Sequence, residues 1–136
     1  MAWSVTKSNI EQVCQHAEID DAGGTNQVIA SIDMSAYGDG THHAGAHFLV
    51  IISQNSIYTP SPVKYEQTIW SVKLARSTSG WAAPVVQKLI FVTGGAATQS
   101  VSFAMSGNVL QVRVNAPEVD RSMFTWIRGP AGESLP

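Results

Sequence analysis

Residues able to carry chemistry are few in this chain, and the densest group is the run D-G-T-H-H-A-G-A-H, which holds Asp39, His42, His43 and His47. Imidazoles and a carboxylate are first-choice ligands for zinc or nickel. A loop running into a strand presents His43 and His47 together or on opposite faces, depending on a bulge at Gly45. The spacing is not that of H-E-x-x-H, which needs a helix and its glutamate. A solvated or interface loop is the plainer reading, and no cofactor is expected. A small metal-dependent enzyme of cupin-like shape, using these histidines, is kept as an alternative. Were three copies to meet at an axis, a histidine here could hold a metal or an anion between chains.

Other chemistry is thinner. There is no G-x-S-x-G elbow, and Cys14, the single cysteine, reads as a small buried hydrophobe. Thr93-Gly94-Gly95-Ala96 lacks the lysine and the length of a phosphate loop, so it reads as a turn. Asp20 with Asp21, and Glu118 with Asp120, lie in polar stretches where solvated carboxylates are the ordinary finding. No catalytic residue is assigned, and the chain is expected not to be an enzyme. Tyr58, beside Pro60 and Pro62, and Trp81, beside a turn, are the candidates for contact with a sugar in a lectin-like module. Core packing accounts better for Trp70 and Trp126.

The elements that must position these groups follow from periodicity. Residues 65–92 read as a long antiparallel hairpin: Thr68, Trp70, Val72 and Leu74 alternate with Ile69, Ser71 and Lys73, the mark of a half-buried strand. Ser77-Thr78-Ser79-Gly80 is its turn, and an arm apolar on both sides runs from Trp81 through Val85, Val86, Leu89 and Ile90. An isolated hairpin is marginal in water, so other strands must cover its inner face.

Earlier in the chain, Ser8-Asn9-Ile10-Glu11 has capping-box spacing, and Ile10, Val13, Cys14 and Ala17 follow at i, i+3, i+4 and i+7. This predicts a short helix over residues 9–16. A strand over 26–35 and a glycine- and histidine-rich loop over 37–45 come next. Residues 46–54 are continuously apolar, which fits a central strand or one facing a second subunit. Residues 99–105 and 109–115 alternate cleanly about Ser106-Gly107-Asn108, and a last strand carries Phe124 and Trp126 on one side. The whole predicts an all-β, two-sheet β-sandwich of jelly-roll type, with seven or eight strands and a short N-terminal helix. Its divisions are a helix and linker over 1–25, the sandwich over 26–128, and a flexible Gly/Pro end over 129–136. Gly129-Pro130-Ala131-Gly132-Glu133-Ser134 spells two Gly-X-Y triplets, far too few for a collagen helix.

Composition narrows the function. The chain has 136 residues, 44% hydrophobic and 13% charged, enough for one domain with a real core and a thinly charged surface. Net charge is −2, with eight Lys and Arg spread singly, so nucleic acid is not expected as a partner. No apolar run approaches the roughly 20 residues needed to cross a bilayer, and no signal peptide opens the chain, so membrane insertion is not expected and synthesis in a cytoplasm is.

The order "NQVIASIDMS", the Gly/His loop, "GAHFLVIISQ", "YEQTIWSVKLARSTSGW" and "VSFAMSGNVLQVRV…FTWIRG" resembles β-sandwich domains of bacteriophage structural proteins, over about residues 26–128. That resemblance implies a trimeric, non-enzymatic virion part, assembled in the host cytoplasm. Its expected partners are its own copies, other virion proteins such as the major capsid or tail proteins, and host-surface glycan. Receptor-binding fibre domains usually end long chains. A short chain without a shaft is therefore expected to suit a capsid decoration protein, a head-surface cement or fibre, as well as a tail-tip piece, with decoration of the particle surface preferred. On this reading Ile10, Val13 and Cys14, with Phe48, Val50 and Ile52, supply the subunit contact.

Overall fold

The computed structural model describes residues 7–19, 24–37, 43–56, 65–94, 100–116 and 121–134. Regular structure among them is entirely β, in nine strands: β1 (Lys7–Ile19), β2 (Gly24–Asp33), β3 (His43–Ser56), β4 (Tyr65–Ser77), β5 (Gly80–Trp81), β6 (Val85–Gly94), β7 (Ser100–Ser106), β8 (Val109–Ala116) and β9 (Arg121–Ser134). Six make a large sheet in the order β1-β9-β3-β4, with β5 and then β6 along the far edge of β4. β2-β8-β7 make a small sheet.

The two sheets enclose one core. The large sheet contributes Phe48, Val50 and Ile52 from β3, Val72 and Leu74 from β4, and Met123 and Ile127 from β9, all at most 2% exposed. Ala30, Ile32, Leu110, Val112 and Val114 meet them from the small sheet. Alternation along each strand creates this arrangement, because successive side chains point to opposite faces. The two-sheet expectation therefore holds. Toward the Gln54 end of β3 the inner face turns polar, with Gln54, Glu66, Thr68 and Thr125 each 2% exposed.

The long hairpin forms as expected. Gly80 sits at φ +117°, a conformation that costs any residue with a Cβ, and Ala82 N–H donates to Ala75 O at 2.9 Å across the break before Pro84. Its second arm is not sheltered, however. β6 is an edge: Val86, opposite inward-facing Val72, is 41% exposed because the small sheet does not extend over it, while Val85, opposite Lys73, and Leu89 lie on the outer face and are 69% and 49% exposed.

Two segments depart from the expected divisions. Residues 9–16 are not helical but lie inside β1, paired with β9 from Lys7↔Glu133 to Ile19↔Arg121. Glu11, Val13 and Ala17 turn toward the core side, whereas Ile10, Cys14 and His16 turn outward. The helical spacing arises because β1 is partly apolar on both faces, and a continuous ladder outweighs local propensity. Nor are residues 129–134 a loose end. They complete β9, held between β1 and β3, where a Cβ on Gly129 would lie 2.0 Å from His47 O.

Candidate functional site

The sequence candidates scatter. Asp39, His42 and Tyr58 lie outside the described residues. His43 and His47 are exposed on the same face of β3, four residues and therefore about 13 Å apart along the strand. His47 Nε2 lies 2.7 Å from Ser71 Oγ on β4. Among the described residues, no three His, Cys, Asp or Glu side chains converge as metal ligands would. Cys14 is exposed rather than a buried hydrophobe, for it faces away from the core.

Trp81 is engaged within the fold. Its indole N–H donates to Asn108 Oδ1 at 3.2 Å, the same oxygen accepts from Arg76 Nη1 at 3.2 Å, and the Arg76 guanidinium stands 6.0 Å from the indole centroid. Asn108 O also accepts the Met34 N–H at 2.7 Å. One turn residue of the small sheet thus ties down the hairpin end of the large one. A shallow depression of about 280 Å³ beside Trp81 is lined by His43, Arg76, Ser77 and Ser79. It offers hydroxyls, an imidazole and a guanidinium, with no paired acid and base.

A second polar tie closes the other side. The Tyr37 hydroxyl donates to a Glu11 carboxylate oxygen, joining the turn after β2 to β1. Burial, reinforced by that carboxylate, pushes the Tyr37 phenol above its ordinary value. Asp33 accepts the Ser35 N–H at 2.8 Å, and this bond, with the Ser35 hydroxyl, holds its carboxyl below the ordinary range.

The most continuous feature is apolar and lies on the outer face of the large sheet. Register places Cys14 beside Trp126, Trp126 beside Ile51, Ile51 beside Ile69, and Ile69 beside Ile90. One uncharged row therefore runs from edge to edge. Leu49 and Leu89 extend it on one side, and Phe124, 54% exposed and stacked on His16 with centroids 4.5 Å apart, extends it on the other. A groove of about 390 Å³ between Cys14, His16, Ile51, Ser53, Phe124 and Trp126 follows this row. Charge stays off it, at Arg128, Lys73 and Glu18.

This geometry corrects the expected contact set. Phe48, Val50 and Ile52 are covered by the chain's own small sheet and Val13 packs on the same core, so none of them lies on the outer face. Ile10, 63% exposed, and Cys14 do remain outside. Phe124 and Trp126 point outward too, because Met123, Thr125 and Ile127 take the inner positions of β9. Leu49, Ile51, Ile69 and Ile90 were the residues missed. The available signal was that β3 and the β4–β6 hairpin carry apolar residues on both parities.

The sequence matches no protein-family pattern and no curated protein. The fold, however, is shared with part of the tailspike protein of Acinetobacter baumannii phage AM24, at TM-score 0.55 and 8% identity, over 94% of this chain and 26% of that one. The tailspike protein of Acinetobacter phage vB_ApiP_P1 aligns at TM-score 0.49 and 13% identity, over 92% of this chain and 22% of that one. The chain thus spans about a quarter of the length of these proteins.

Proposed function

We propose that this chain is a non-enzymatic structural component of a bacteriophage particle, of fibre or tail-surface type, and that it acts as a homotrimer among other virion proteins. The observation that carries this reading is the near-complete overlay of the chain on a segment of a phage tailspike protein, 94% of its length at TM-score 0.55. The scatter of ionisable side chains among the described residues agrees with a scaffold role, and the exposed apolar face agrees with life in an assembly, since monomeric soluble proteins rarely leave such patches open. Virion location and assembly in the host cytoplasm follow from the same reading.

Mass spectrometry of gradient-purified particles from the source culture tests it. The protein is expected in fixed stoichiometry with the other virion components. Recovery only in the soluble fraction would remove the virion role, and light scattering showing a monomer at micromolar concentration would remove the trimer.

A further inference from the structure

We infer that the outer face of the large sheet, centred on Ile51 and Trp126, is turned toward the three-fold axis and covered by the same face of the other copies of this chain. The inference rests on the self-association proposed above and adds where it occurs.

Size is the first support. Five strand positions at about 4.8 Å spacing, and strands of ten or more residues at about 3.3 Å per residue, give a face of roughly 700–800 Å². A standard-size interface takes about 800 Å² from each partner, so this face alone is sufficient for a stable contact.

Charge placement is the second support, and it favours a copy over an unrelated partner. Closed symmetry brings each residue near the axis against its own equivalent, so a charge there would meet itself. The row Cys14, Trp126, Ile51, Ile69 and Ile90 carries none across the entire sheet. Leu49, Leu89 and Phe124 widen the apolar centre, Glu18 and Lys73 lie off the row where a wet, polar rim belongs, and Arg128 stands beside Leu49 with its charge off the row.

The free edge of β6 is the competing contact, through strand-to-strand pairing. It is the weaker candidate because its exposed apolar residues form a line one strand wide. On the outer face they join across five strand positions.

The test uses the full chain with Ile51→Glu, Trp126→Glu and, on the β6 edge, Val86→Glu, with molar mass followed by light scattering across dilution. Circular dichroism melting of each variant confirms folding, since Ile51 and Trp126 face away from the core. A buried like-charge cluster should raise the dissociation midpoint about a hundredfold or more for Ile51→Glu and Trp126→Glu, leaving Val86→Glu near wild type. If folded Ile51→Glu and Trp126→Glu keep the wild-type mass, the face assignment is wrong although self-association stands. If only Val86→Glu dissociates, the edge is the contact. A monomeric wild type removes self-association and this face together.

Discussion

The Trp81 indole N–H and Asn108 Oδ1 meet at 3.2 Å although 27 positions separate them, and this bond joins the tip region of the long hairpin to the β7–β8 turn. Arg76 shares the acceptor, and Asn108 O holds Met34 N–H. Asn108→Ala should therefore cost about 0.5–1.5 kcal/mol, because two donors lose one acceptor at an exposed joint where water can replace it. Urea denaturation measures it. Asn108→Asp keeps the acceptor and adds charge beside Arg76, and it should retain most of the wild-type stability.

Gly129 has no room for a side chain. A Cβ there would lie 2.0 Å from His47 O and 2.9 Å from Phe48 Cα, so β9 and β3 would have to separate. Gly129→Ala should lose about 3 kcal/mol or more, or fail to accumulate folded protein. At Gly45 a Cβ would meet Leu74 O at an ordinary 3.4 Å. Gly45→Ala should thus stay within about 1 kcal/mol of wild type in the same unfolding assay.

The two faces of the large sheet should respond oppositely to truncation. Phe48 is 1% exposed and Phe124 is 54% exposed. Phe48→Ala is expected to cost about 3–5 kcal/mol, and Phe124→Ala less than about 1 kcal/mol when measured at dilution where copies are apart. Equal losses would mean that the inward assignment of Phe48 on β3 or the outward assignment of Phe124 on β9 is wrong.

Thr125 is 2% exposed, and its Oγ1 has no hydrogen-bond partner among the described residues. Thr125→Val keeps the shape and removes the unpaired hydroxyl. It should be neutral or stabilising by about 1 kcal/mol, and a large loss would reveal a partner for that oxygen.

Two titrations should tilt the stability profile. Tyr37 has a raised pKa in the folded chain, so its contribution is complete below the ordinary phenol value of 10.0 and is lost as pH climbs through the higher folded value. Tyr37→Phe should flatten that alkaline decline. Asp33 has a lowered pKa, so its contribution is present above the ordinary 3.8 and is lost as pH falls through the folded value below it. Asp33→Asn should flatten the acid limb. Urea midpoints taken from the acid to the alkaline limit check both signs.

Local chemistry made much of this fold legible in the sequence. Alternation from Thr68 to Leu74, the Ser77–Gly80 turn and the Ser106-Gly107-Asn108 connection each depend on neighbours in the chain, so hairpins and the all-β class could be read directly. The direction in which a two-sided strand turns was not local. Met123 and Ile127, or Phe124 and Trp126, satisfy the same alternation equally well, and only the small sheet, lying against one side, decided which pair is buried. The same holds for Ile10 to Ala17, whose spacing fits a helix until β9 offers a ladder along its entire length, and for Gly129 to Ser134, which read as a loose end until β1 and β3 closed around them. Periodicity is a property of one segment, whereas burial is a property of what comes to rest against it. For that reason the outer row from Cys14 to Ile90 exists only once five strand positions are set side by side.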